Sequence, residues 1–340
     1  VSAAIPKETA RTAEGPYFDE LAVGQVFGGA PGVTLTSGHA ATHQSIVGDR
    51  LALPLDEELS RAVTGQAPLA HPALVWDMAI GQSTLATHHV KANLFYRGLV
   101  LRRTPLIGDT LRTSTEVVAL RRNKDRPGRR PTGLAALRIT TTDQHERPVL
   151  DFWRCAMLPL RDPDAGTRHA ADLDAVGAEP DHAALAAVVR GWRLDRFARR
   201  VAGPRFADLA EGMVWEVGGG DVVSGAPELA RLTLNVAMVH HDRHAAGGRR
   251  LVYGGHTIGV ALAQAARALP SIVTVAGWHS CDHLGPVHEG DTLYSTVAVE
   301  RLRSLGEHGG LAHLRSRVRA VGGDEPARSV LDWRYAVVLA

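Results

Sequence analysis

Leu232–Gly259 reads LTLNVAMVHHDRHAAGGRRLVYGGHTIG, and the rest of the chain is organised around it. Asn235, His240, His241, Asp242 and His244 crowd polar and titratable groups into one short segment. A Gly- and Arg-rich loop follows. Tyr253-Gly254-Gly255-His256 then turns into an apolar stretch, and a helix is expected from near His256. Ile258, Ala261, Leu262, Ala265 and Leu269 recur at helical spacing and give it one apolar face. Free N–H groups at a helix start, next to titratable side chains, are suited to binding and polarising a carbonyl or an anion. Gly255, His256 and Thr257 are the expected backbone donors.

The same layout occurs twice. YFDELAVGQVF from Tyr17 is echoed by RFADLAEGMVW from Arg205; GDTL at Gly108 returns at Gly290; VLDFWRCAML at Val149 returns as VLDWRYAVVL at Val330. Echoes in one order, roughly 180 residues apart, indicate a tandem duplication. The copies span 17–160 and 204–340. Between them, 161–203 has linker composition, rich in Ala, Asp, Gly and Pro, with Leu185–Arg200 suited to a short helix. Residues 1–16 read as a mobile tail. In the first copy the apolar helix starts near Pro72, a favoured first-turn residue. Gly81 and Gly259 fall inside the two helices, where glycine costs about 1 kcal/mol against alanine; a sheet packed closely on each helix would account for them. Thr- and Val-rich alternating runs follow each helix, as in half-buried antiparallel strands. The expected class is α+β: one helix wrapped by an antiparallel sheet, made twice.

Composition narrows the function. The chain has 340 residues, 45% of them hydrophobic and 22% charged, with a net charge of +2. That charge is too small to argue for nucleic acid or an anionic membrane. No apolar run approaches the roughly 18 residues of a membrane span, and the first residues lack the apolar core of a signal peptide. Cys155 and Cys281 make no disulfide framework, which points to the cytoplasm. Cys281 reads as a buried strand residue, with a thiol nucleophile as the sharper alternative. His240/Asp242/His244, His39/His43 and His279/His283 have spacings that can gather a metal, but no HExxH or CxxC pattern accompanies them, and no metal or cofactor is assigned. The basic run Arg121–Arg130 reads as a solvated loop between strands, or as a contact for phosphates.

LTLNVAMVHHD followed by YGGHTIG resembles the (R)-specific enoyl-CoA hydratase signature of the MaoC-like hydratase/dehydratase family, Gly-Asp-x-Asn-Pro-x-His and then a His-Gly turn into the central helix. The GDTL strand start and the F-x-x-L-x-x-G opening are similar to that family too. Its double-domain, mesaconyl-CoA hydratase-like members are the nearest in layout. The resemblance implies a hotdog fold in tandem, or double hotdog, form. It places His240 at the family's catalytic histidine, Asn235 at the aspartate five residues before it, and Asp242 at a common acidic neighbour. Gly254-Gly255 corresponds to the His-Gly turn. In the first copy Gly48-Asp49 keeps the Gly-Asp, Asp56 stands at the histidine position, and His71-Pro72 resembles the turn. Neither copy therefore holds a complete Asp/His pair. The implied activity is reversible hydration of a 2-enoyl-CoA at one site in the second copy, with His240, Asn235 and Asp242 in catalysis and Tyr253, Gly254, Gly255, His256 and Thr257 binding the thioester. The alternatives are a thioesterase using Asp49 or Asp242, and a non-catalytic acyl-CoA binding protein. The implied partner is a coenzyme A thioester. The copies pair as an internal pseudo-dimer, and a further homodimer is open.

Overall fold

The structure is a computed structural model and describes residues 13–306, 309–323 and 326–340. Most of the expected tail, residues 1–12, lies outside the described residues. A short 3-10 turn, Phe18–Glu20, opens the first half. It is followed by β1 (Val26–Phe27), β2 (Val33–Thr34), α1 (Ser37–Val47), α2 (Ala52–Leu55), α3 (Glu57–Thr64) and α4 (Pro72–Gln82), which a 3-10 turn, Ser83–Thr87, extends. Four long strands complete the half: β3 (Ala92–Leu101), β4 (Thr110–Arg122), β5 (Thr132–Thr142) and β6 (Pro148–Pro159). The connecting segment holds α5 (His182–Ala186) and α6 (Leu194–Arg200). The second half repeats the order. Its 3-10 turn Phe206–Asp208 is followed by β7 (Val214–Glu216), β8 (Asp221–Val222), α7 (Ala226–Leu232) and α8 (Gly254–Ala268), then β9 (Ile272–His283), β10 (Thr292–Ser304), β11 (Gly310–Val321) and β12 (Arg328–Leu339). The basic run 121–130 falls at the β4–β5 connection, as its composition suggests.

The half-sheets join edge to edge. β3 pairs antiparallel with β9, Tyr96 opposite Cys281 and Leu99 opposite Trp278. The continuous order is β1-β4-β5-β6-β3-β9-β12-β11-β10-β7. It is symmetric about the β3–β9 seam. Strand alternation turns Phe152, Arg154, Ala156 and Leu158 of β6 inward, and all four are buried.

α4 and α8 lie in the concave sheet, and their surroundings differ from the expected one-faced stripe. Every residue of α4 is buried, as is every residue of α8 from Gly255 to Ala266. A helix apolar on all sides is one enclosed on all sides. The two glycines are explained differently from expectation as well. A methyl group on Gly81 would overlap the Thr233 carbonyl oxygen, just beyond α7. One on Gly259 would lie 2.9 Å from Val47 Cγ1 on α1. Each half's central helix thus gives up a side chain where the other half's polar segment crosses it, and the sheet is not the cause. Trp76 of α4 packs edge-on against Trp278 of β9, with ring centroids 4.8 Å apart, and Trp278 packs in turn on Trp333 of β12 at 5.5 Å. Among the described residues no helix is long and apolar enough to cross a membrane.

Gly81→Ala should lower stability by about 3 kcal/mol, because a backbone carbonyl cannot move aside, whereas Gly259→Ala should cost about 1 kcal/mol, since the Val47 side chain can yield and helix propensity partly compensates. Denaturant unfolding of both variants checks this, and equal small effects would contradict the cross-packing.

Candidate active site

α7 ends in a Schellman motif. The Leu234 N–H donates to the Arg231 carbonyl and the Asn235 N–H to the Ala230 carbonyl, at 3.1 and 2.9 Å. The position that normally holds glycine is Leu234, with φ of 58°. A branched side chain there costs on the order of 1–2 kcal/mol. The strained turn sets the direction of Asn235. Asn235 Oδ1 accepts the Ala237 N–H at 2.9 Å, so its Nδ2, with no protein partner among the described residues, is left to donate. His241 Nε2 donates to the Asn235 carbonyl at 2.6 Å and braces the turn.

His240 sits at the end of a 3-10 turn, Met238–His240. Its Nδ1 donates to the Leu251 carbonyl at 2.8 Å, which leaves Nε2 as the acceptor. Burial pushes its pKa down to about 4; the bond to Leu251 opposes this, and the charges of His241 and Arg154 add to it. The ring is therefore neutral at working pH.

These groups open onto a cavity of about 360 Å³ that both halves line. The second half contributes Asn235, His240, Tyr253, Gly254, Thr257 and His283; the first contributes Ile80, Thr84, Tyr96 and Arg154. The Val236 N–H donates to Thr84 Oγ1 at 2.9 Å and the Met238 N–H to the His88 carbonyl at 3.0 Å, stitching the motif to the end of α4. His283 lies over the start of α8, where a Cβ on Gly254 would come within 2.6 Å of its Nε2 and displace the ring.

Of the residues singled out in the sequence, Asn235, His240, Tyr253, Gly254 and Thr257 meet at this cavity. Gly255 and His256 lie behind it. α8 starts two residues before the expected position, and the His256 N–H closes on the Tyr253 carbonyl at 3.0 Å. The first-turn donors left without an acceptor in the helix are those of Gly254 and Gly255. Asp242 is exposed, its Oδ1 accepts the His244 N–H at 2.8 Å, and it borders a separate shallow groove with His88 and Arg231. Cys281 is buried, and burial raises its thiol pKa well above normal, which removes the nucleophile reading.

Behind Tyr253 runs a buried polar chain. Tyr253 is the N-cap residue of α8, and its hydroxyl donates to Asp77 Oδ1 at 3.1 Å. His43 lies between two carboxylates, Nε2 at 3.1 Å from Asp77 Oδ2 and Nδ1 at 2.7 Å from Asp49 Oδ2. Burial opposes charge on His43, but Asp49 and then Asp77 outweigh it and raise its pKa to about 10. Burial raises the Asp49 pKa, yet His71 and His43 bring it below the ordinary value. For Asp77 burial dominates, and its pKa rises. His71 is held neutral by burial, pushed down to about 4, and its Nδ1 accepts the Ala73 N–H at 3.1 Å. The ligand atoms of His43, Asp49 and His71 lie within 4.8 Å of one another; both nitrogens of His43 and Nδ1 of His71 are held in hydrogen bonds, while His71 Nε2 and Asp49 Oδ1 are buried without a partner among the described residues. Gly255 belongs to this arrangement: a Cβ there would strike Asp77 and the Tyr253 ring. The expected Asp49 and His71 are thus in the network but do not line the cavity. The sequence singles out neither Asp77 nor Arg154, and His43 and His283 only as members of metal-type spacings. For Arg154 a signal did exist, since strand alternation in LDFWRCAML turns an arginine inward.

His43 binds a proton more tightly in the folded protein than in the unfolded chain. Its contribution is complete below its ordinary pKa of 6.5 and is lost as pH rises toward 10. Between those values the wild type should lose stability relative to His43→Gln, with a slope approaching about 1.4 kcal/mol per pH unit. Parallel curves of melting temperature against pH would contradict the charged assignment.

No family model matches the chain. Comparison with curated proteins finds a β-methylmalyl-CoA dehydratase of Chloroflexus aurantiacus, 27% identical over 97% of this chain and 99% of that protein. A mesaconyl-CoA hydratase of Cereibacter sphaeroides is 26% identical over 93% of this chain and 92% of its own length. Among solved structures, a conserved hypothetical protein of Mycobacterium tuberculosis, described as having a double hotdog fold, is 56% identical, covers 96% of this chain and 99% of its own, and superposes with a TM-score of 0.90. A MaoC domain dehydratase structure from Chloroflexus aurantiacus is 25% identical over 97% of this chain and 99% of its own, with a TM-score of 0.84. With this sheet, these two enclosed helices and this agreement along nearly the whole length, the chain belongs to the MaoC-like double hotdog hydratase/dehydratase family.

Proposed function

We propose that the protein adds water to a 2-enoyl-CoA thioester, or removes it from the 3-hydroxyacyl-CoA, at the cavity of the second half. The observation that carries this reading is the neutral His240 with Nε2 free toward the cavity, beside the Nδ2 donor of Asn235 and the start of α8. Asn235 holds the water by donating to its oxygen. His240 takes a proton as the water attacks the β-carbon. The electron pair moves to the thioester oxygen, where the N–H groups opening α8 stabilise the negative charge. The proton on His240 then passes to the α-carbon, which restores the base. The relatives' names support the reading: one is a dehydratase and the other a hydratase, both of coenzyme A thioesters.

Hydrolysis fits the site less well. A thioesterase of the kind considered needs a carboxylate at the carbonyl carbon. Among the described residues no Asp or Glu lines this cavity, Asp242 lies outside it, and Asp49 is locked behind Tyr253.

His240→Ala should lose about a thousandfold in turnover of crotonyl-CoA or mesaconyl-CoA while keeping its fold. Loss of the conjugated-thioester absorbance without free thiol marks hydration, and release of thiol would point to hydrolysis. Because His240 works in its neutral form, kcat/KM should stay level from pH 9 to about 6 and fall only as pH drops toward 4. Full activity in His240→Ala would remove the assignment.

A further inference from the structure

The enolate oxygen of the proposed hydration gains most from donors that converge on it. Of the N–H groups opening α8, that of Gly254 is on the cavity lining, while Gly255 lies behind it. A side-chain nitrogen stands beside the same residue. His283, the last residue of β9, lines the cavity, and its Nε2 is buried with no partner among the described residues. The Nε2–Cε1 edge of the ring fills the place of a Gly254 side chain: a Cβ there would lie 2.6 Å from Nε2 and 2.7 Å from Cε1. Covalent geometry separates that Cβ position from the Gly254 nitrogen by about 2.5 Å, so Nε2 is no farther than about 5 Å from that nitrogen. One oxygen can therefore accept from both, at about 3 Å from each. The ring is held from two sides. Strand pairing places His283 opposite Leu331 of β12, and Tyr96 of β3 packs edge-on against the imidazole, with centroids 5.7 Å apart. The duplication isolates the residue. The seam pairs Tyr96 with Cys281 and Leu99 with Trp278, which equates Leu101 of β3 with His283. Leu101 is buried and apolar, so the imidazole belongs to the half that holds His240.

We propose that His283 is a catalytic residue whose Nε2–H donates to the thioester oxygen and, with the Gly254 N–H, makes a two-donor oxyanion site. The inference rests on the thioester reading of the cavity and deepens it. Burial pushes the His283 pKa down to about 4, and the charge of His240 adds to this, so the ring is neutral at working pH. A neutral imidazole carries one proton, and a carbonyl oxygen at Nε2 draws it to that nitrogen. The neutral form suits the task, because its N–H polarises the carbonyl without giving the proton away. As water adds to the β-carbon, the electron pair moves onto the thioester oxygen, and the hydrogen bonds from His283 and Gly254 strengthen. When the α-carbon takes the proton from His240, the carbonyl re-forms and His283 ends unchanged. The two histidines thus have opposite tasks: His240 Nε2 accepts a proton, and His283 Nε2 donates a hydrogen bond.

Bound 2,4-hexadienoyl-CoA reports the polarisation directly, because donors at its carbonyl draw charge along the conjugated chain and move its absorption to longer wavelength. In His240→Ala, where turnover is removed, the bound thioester should absorb to the red of the free one. Adding His283→Leu should remove about half of that shift, one of two donors being lost. In hydration of crotonyl-CoA or mesaconyl-CoA, His283→Leu should lower kcat about a hundredfold and leave KM within about threefold. His283→Gln, which keeps an N–H donor at similar reach, should stay within about tenfold of the wild type. It should also keep the wild-type fall of kcat/KM at acid pH, since proton transfer rests with His240. An unshifted spectrum overturns the proposal, whether the carbonyl is left unpolarised or the thioester does not bind. So does a shift indifferent to His283→Leu, and so does loss of the acid fall in His283→Gln, which would make His283 the base. Should His283→Leu fail to fold, His283→Asn, whose amide falls short of the Nε2 position, takes its place. Turnover separates this proposal from the one it rests on. Hydration that persists in His283→Leu and is lost in His240→Ala would sink the donor role and leave the hydratase. A red shift that depends on His283, in a protein that hydrates neither thioester, would do the reverse.

Discussion

The site depends on the antiparallel pairing of β3 with β9. That seam makes one sheet of two and brings the first half's β6, which carries Arg154, to the same cavity as His283 at the end of β9. It also presses the two central helices together until each must contain a glycine where the other half crosses it. A side chain at Gly81 would push the Asn235–His240 segment away from α4, and with it the hydrogen bonds from Val236 to Thr84 and from Met238 to His88, while one at Gly259 would press on Val47 of α1. The cavity therefore has no existence in one half alone.

Electrostatics divide the two ancestral sites. In the first half the titratable groups have turned inward. His43, clamped between Asp49 and Asp77, bonds one oxygen of each buried carboxylate and is itself held charged by them. Low local dielectric makes such a network strong while it is fully paired and costly when one member is lost. Through Tyr253 it also fixes the N-cap of α8, so the half without a substrate cavity of this kind still supports the start of the helix at the other. The second half went the other way. It carries the uncharged Asn235, and its His240 is neutral with one nitrogen committed to the backbone. Among the described residues no carboxylate lines the cavity, while the Arg154 guanidinium does, an environment suited to anionic ligands.

Much of this was legible in the sequence because duplication writes the same physics twice. The echoes at Phe18 and Phe206, at the two GDTL segments and at the two VLD strands correspond to matching elements, and Pro72 at the first helical position marks the start of α4 correctly. The Asn235/His240 spacing led to two side chains that do share a cavity. What the sequence did not show are contacts between the halves. Gly81 looks like a sheet contact until Thr233 appears beside it, and His43 looks like one of many surface histidines until Asp49 and Asp77 close on it. Asp242 illustrates the opposite failure: proximity in sequence to His240 does not carry it into the cavity, because the turn after the 3-10 segment points it to solvent. Arg154 lay within reach, since strand alternation turns it inward, but that it lines the cavity required the structure.

A crystal structure with a bound 3-hydroxyacyl-CoA tests the central claim most directly. The account requires the 3-hydroxyl oxygen within hydrogen-bond distance of both His240 Nε2 and Asn235 Nδ2, and the thioester oxygen at the start of α8 near the Gly254 N–H. An acyl chain lying in the groove beside Asp242, or a 3-hydroxyl turned away from His240, would contradict it.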